Sequence, residues 1–174
     1  EVQLIDWLQD RHGLDFGFSD ETDAVDRATA IDPGDLPKEQ AAIAFWLSRK
    51  YRVAPEPISA LVAEAYDIGQ QKRIDPTLIL AVMAIESGFN PFAQSTMGAQ
   101  GLMQVRTEVH TDKYDNFGGD FAAFDPVANL RVGVEVLREA IQRNGGIEAG
   151  LRQYVGAALS GEDGGYVNKV LAEQ

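Results

Sequence analysis

Apolar residues along this chain recur with helical period almost throughout. Ile58, Leu61, Val62, Ala65, Ile68 and Gly69 stand at i, i+3, i+4, i+7, i+10 and i+11, the spacing of one buried stripe on a helix. Val127, Leu130, Val134, Leu137 and Ile141 draw a second stripe, and Leu151, Tyr154, Val155 and Ala158 a third within 147–158. From Pro37 to Lys50, Ala42, Phe45, Trp46 and Arg49 share a face, with Ile43 and Leu47 adjoining it. Shorter helices are expected at 2–12, through Leu4, Ile5 and Leu8, and at the C-terminus, through Tyr166, Val167, Val170 and Leu171. Strand-type alternation of Val and Ile is missing, so the pattern predicts an all-α fold.

Local punctuation sets the element ends. Asp75-Pro76 and Asp125-Pro126 each combine an N-cap with a proline that the first helical turn tolerates. Asn144-Gly145-Gly146 stops the second stripe, Pro55-Glu56-Pro57 breaks the chain before the first, and Gly161 to Gly165 precedes the last helix. Residues 13–36 are Gly- and Asp-rich and read as loop with one short helix near 21–30. Residues 106–125, with Phe117-Gly118-Gly119, read as a long loop of the kind that lines or covers sites. Gly98 to Gln104 reads as a turn leading into a short helix.

One segment departs from amphipathic spacing. Leu78 to Ile85 is unbroken apolar sequence, closed by Asn90-Pro91, and therefore reads as a helix buried on all sides. Glu86 follows at its last turn. Burial and the negative end of the helix dipole both disfavour an ionised carboxyl there. A carboxylic acid that holds its proton near neutral pH is what general-acid catalysis uses. Taken alone, a glutamate at a helix end is more often solvated or paired with an arginine.

The residues after Glu86 change that balance. The chain continues Ser87-Gly88-Phe89-Asn90-Pro91-Phe92-Ala93-Gln94-Ser95-Thr96-Met97-Gly98-Ala99-Gln100-Gly101-Leu102-Met103-Gln104. In the order and spacing of Glu-Ser, Asn-Pro, Ala-x-Ser and Gly-Ala-x-Gly-Leu-Met-Gln, this stretch resembles the lytic transglycosylases of the soluble type, which share the lysozyme-like fold. The likeness extends over about residues 58–172. Tyr154 matches the tyrosine of an Ala-Tyr-Asn motif, although Val155 stands where asparagine is usual. Glu162 with Tyr166-Val167 matches a pattern on the family's last helix. Val105-Arg106-Thr107 departs from it, since a proline commonly follows the glutamine.

The resemblance implies an enzyme that uses one carboxyl group where most glycosidases need two. Glu86 would protonate the glycosidic oxygen between N-acetylmuramic acid and N-acetylglucosamine, then act as base on the muramic C6 hydroxyl. A 1,6-anhydromuramoyl end would result. Ser95, Gln104, Tyr154, Glu162 and Tyr166 would bind substrate, with Glu162 reaching a stem peptide. Met103 would be either core filler or an apolar wall for a sugar ring. On residue type alone Tyr154 is a core aromatic, Ser95 and Gln104 are loop polars, and Glu162 is an exposed carboxylate. Two other activities stay open: a binding or scaffold domain with little turnover, and a hydrolytic muramidase of lysozyme type.

Composition bounds these readings. A chain of 174 residues, 45% hydrophobic and 24% charged, suits a globular protein with a sizeable core. The resemblance divides it into an N-terminal helical extension at 1–55, packed on the core through Phe45, Trp46 and Leu47, and a lysozyme-like catalytic domain at 56–174. Cysteine is absent, and His12 and His110 are isolated, so no metal or cofactor is expected. The formal charge of −12 leaves no basic stripe for nucleic acid. Residues 1–40 hold eleven acidic side chains against Arg11, Arg27 and Lys38, either a solvated face or a surface for a basic protein partner. No apolar run reaches membrane-spanning length and no leader is visible. Peptidoglycan strands are the expected partner, in the periplasm or cell envelope.

Overall fold

The computed structural model describes residues 30–156 and 166–174. The expected helices at 2–12 and 21–30, most of the acidic run, and Glu162 lie outside the described residues. After a 3-10 turn at Pro33–Asp35 come helices α1 (Lys38–Tyr51), α2 (Pro55–Lys72) and α3 (Pro76–Ser87). A two-residue hairpin follows, β1 (Ala99–Gln100) antiparallel to β2 (Val105–Arg106). Then come a single helical turn, α4 (Thr111–Tyr114), and helices α5 (Pro126–Asn144), α6 (Ile147–Gly156) and α7 (Tyr166–Glu173). The fold is all-α apart from that hairpin.

The N-caps behave as their residue types require. Asp75 accepts from the Thr77 amide at 2.9 Å, and Asp125 accepts from those of Val127 and Ala128 at 2.9 and 3.0 Å. The break expected at Pro55-Glu56-Pro57 falls just before it, at residues 52–54. Both prolines sit in the first turn of α2, where an amide hydrogen has no intrahelical acceptor to lose. The long loop of 106–125 is also more ordered than its composition suggested. It folds as α4 followed by 3-10 turns at Asp115–Phe117 and Asp120–Phe124.

The core explains the uniform apolarity of α3. It lies against α2 on one side and α7 on another, and every residue from Leu78 to Ala84 is buried. Helix α5 packs on α2 and α6, and α1 packs on α2 through Ala44 and Leu47. Phe45 and Trp46 depart from the expectation that they pack inward. They remain 60% and 51% exposed, and the Arg49 guanidinium and the Lys50 ammonium lie 5.5 and 4.5 Å from their ring centroids. A cation over an aromatic face recovers part of what burial would have given. Among the described residues no helix is long and apolar enough to cross a membrane.

Candidate active site

Glu86 is half-buried in the last turn of α3, two residues before the Gly88 cap. Gly88 takes a left-handed conformation with φ of 56°, and its amide bonds the Ala84 carbonyl, ending the helix. Phe89 then turns inward and meets Tyr51 edge-on, with ring centroids 5.1 Å apart. This apolar anchor fixes the direction in which the chain leaves the carboxyl group.

The next fifteen residues fold back on themselves through short-range bonds. Asn90 Oδ1 accepts from the Phe92 amide at 3.0 Å. The Ser95 hydroxyl accepts from the amides of Met97 and Ala99 at 3.3 and 3.0 Å, so this exposed side chain shapes its own turn. Gln104 Nε2 donates to the carbonyls of Ala93 and Gly101, each at 3.0 Å. Its backbone has φ of 50°, unusual outside glycine, and the two amide bonds brace it there. Ser95 and Gln104 therefore both organise the loop that the sequence expected them to present to a glycan.

Asn129 of α5 locks that loop to the core, a role no sequence pattern had marked. It is fully buried, and its Oδ1 accepts from the Met103 amide at 2.7 Å. Its Nδ2 lies 2.8 Å from the Gln100 carbonyl, 2.9 Å from that of Ala123 and 3.1 Å from the Tyr114 hydroxyl. Space around the amide is fully used. A Cβ at Gly101, where φ is 79°, would lie 2.3 Å from Asn129 Nδ2 and 2.4 Å from the Ala123 oxygen. An asparagine interrupting the apolar start of that helix, between Ala128 and Leu130, was the available signal, because a buried polar residue needs partners.

Tyr154 of α6 holds the same residue by its carbonyl, in the next peptide group along the chain. Its hydroxyl donates to the Met103 carbonyl at 2.7 Å. Met103 is thus held from both sides along its backbone, while its side chain is sealed in the core. A Cβ at Gly133 of α5 would lie 2.5 Å from Met103 Cβ, so only glycine lets that helix approach so closely. Of the two roles weighed for Met103, the structure gives core filler. A fully enclosed thioether cannot form the wall of a sugar site.

Electrostatics connect Tyr154 to Glu86. Burial pushes the Tyr154 phenol well above its usual range, and the charge of Glu86 and then Tyr114 push it further. The phenol therefore stays a neutral donor at any ordinary pH, in a place where the Glu86 charge is felt. The structure thus brings Glu86, the Met103-Gln104 peptide and Tyr154 into one neighbourhood, with Ser95 on the exposed turn of the same loop. Gln104 and Tyr154 also border a cavity of about 240 Å³. Glu162 lies outside the described residues, and so does the side chain of Tyr166. Among the described residues no cluster of three or more His, Asp or Glu could hold a metal ion.

The family model described as Transglycosylase SLT domain matches residues 65–163, a span that includes Glu86, Gln104 and Tyr154. A protein named Transglycosylase from Enterobacteria phage PRD1 is 35% identical over 86 residues. That stretch is 49% of this chain and 31% of the phage protein, so the chain spans less than a third of that relative's length.

Proposed function

The chain belongs to the transglycosylase SLT-domain family, and from that premise we propose that it cleaves peptidoglycan without consuming water, with Glu86 as its single catalytic group. The observation that carries this reading is that Tyr154, held on the loop after Glu86, lies where the Glu86 charge acts on its phenol. A half-buried carboxyl at the end of an apolar helix has a half-buried phenol within reach of its charge. The phenol is itself fixed on the Met103 carbonyl.

In this mechanism Glu86 gives its proton to the oxygen bridging N-acetylmuramic acid and N-acetylglucosamine. The bond to muramic C1 breaks, and the acetamido group of the same sugar supports the oxocarbenium-like centre. Glu86, now a carboxylate, takes the proton of the muramic C6 hydroxyl as that oxygen closes on C1. The proton balance returns to its start, and the product carries a 1,6-anhydro ring. Ser95, Gln104, Tyr154, Glu162 and Tyr166 bind the strand in this proposal, and Met103 contributes through its backbone alone. Residues 56–174 form the catalytic domain and 1–55 an extension to it, acting in the cell envelope.

The test is digestion of purified peptidoglycan by the wild-type chain and by Glu86→Gln, followed by weighing of the released muropeptides. Wild type is expected to yield ends lighter than hydrolysed ends by one water, and Glu86→Gln to yield none while keeping its fold. Reducing ends from wild type would replace this mechanism with a lysozyme-type hydrolysis. Uncut strands from wild type would leave a binding domain.

A further inference from the structure

The cavity beside Gln104 and Tyr154 carries a charge pattern that the cleavage chemistry does not use. It lies between β2 with the residues following it and the last two turns of α5. Arg106 and Arg143 line it, and among the described residues neither takes part in an ion pair. The acidic side chain in the lining, Glu139, is already bound to Lys113 at 3.0 Å. Two uncompensated guanidiniums therefore remain at one small cavity, in a chain whose formal net charge is −12. Val109, Val136 and Ala140 make the rest of the wall largely aliphatic.

We propose that this cavity is a subsite for the carboxylate-bearing peptide that muramic acid carries in peptidoglycan, with Arg106 and Arg143 as its anion-binding groups. The inference rests on the transglycosylase reading. Guanidinium forks match carboxylates in shape and charge, and the valines suit short aliphatic side chains between them. At about 240 Å³ the cavity falls below the roughly 300–1,000 Å³ of sites that enclose a whole small molecule. It fits a substituent of a strand held elsewhere. Its shared border with Gln104 and Tyr154 puts such a substituent next to the scissile region. Burial first, then the Lys113 ammonium, hold the His110 imidazole below its ordinary range, so at neutral pH it adds a neutral hydrogen-bonding group.

The experiment measures binding of N-acetylmuramoyl-L-alanyl-D-glutamate and of its diamide to the intact chain, by calorimetry or NMR titration. Neither probe has a bond to cleave, so the readout does not depend on turnover. Wild type is expected to prefer the acid over the diamide by roughly tenfold, the scale of one charge-assisted contact. Arg106→Gln with Arg143→Gln is expected to erase that preference. Should the double variant melt early, Arg143→Gln alone, at the exposed end of α5, is expected to reduce it about threefold. Equal affinity for acid and diamide in wild type, undetectable binding of the acid, or a preference that survives the variants would each overturn the inference. Failure of the transglycosylase reading shows elsewhere, as uncut strands from the wild-type digestion.

Discussion

Asn129→Ala should cost more stability than any other single side chain of this size, because it strips partners from three backbone groups at once. The Met103 amide and the carbonyls of Gln100 and Ala123 all bond the Asn129 amide. A buried polar group left unpaired costs about 1–3 kcal/mol. Taking the lower part of that range for the two carbonyls, which keep a second lone pair, gives a loss of roughly 3–5 kcal/mol. Against a total of about 5–15 kcal/mol for an ordinary domain, the variant should still fold, but with little reserve. Urea titration followed by far-UV circular dichroism is the assay, with the slope unchanged and the midpoint lowered. Asn129→Asp provides the control. It keeps an acceptor for the Met103 amide but turns a charge towards two carbonyls, so it should be no better than alanine. On folded protein, cleavage should also fall, since the freed loop carries Gln104 and the carbonyl that holds Tyr154. A stability loss below about 1 kcal/mol would refute the reasoning, because it would mean that the three backbone groups find other partners at no cost.

Two further outcomes follow from the same geometry. Tyr154→Phe removes the bond to the Met103 carbonyl, and should lower stability by about 1–2 kcal/mol in the same titration. By loosening the peptide beside Glu86, it should also slow cleavage by about ten- to a hundredfold in a muropeptide release assay. Glu135 of α5 bonds Arg138 and the Lys72 ammonium of α2, and these partners, Arg138 first, hold its carboxyl below the ordinary glutamate range against the opposing effect of burial. Its folded value is the lower one, so its contribution is complete above the unfolded glutamate range and is lost as pH falls through the folded value. Thermal melts from neutral to acid pH should therefore show a shallower decline for Glu135→Gln than for wild type. Parallel curves would remove Glu135 from the acid response.

The sequence by itself determined most of the helical frame. Helical spacing and the Asp-Pro caps placed α2, α3 and α5 within a few residues, because both signals are local: a stripe needs one neighbour to cover it, and a cap bonds amides two or three residues away. Glu86 stood out for the same kind of reason, as the charged end of an apolar run. Tertiary structure alone decided how the loop beside Glu86 is held. Asn129 is 26 residues from Met103 in the chain and Tyr154 is 51, so nothing in local spacing could pair them. The hairpin of β1 and β2 was equally hidden, since strands of two residues are too short to show alternation. Met103 was divided between core and site until burial decided it, and the exposed rings of Phe45 and Trp46 ran against their composition. Side-chain type limits what a residue can do. Which partner it meets depends on contacts that only the closed chain brings together.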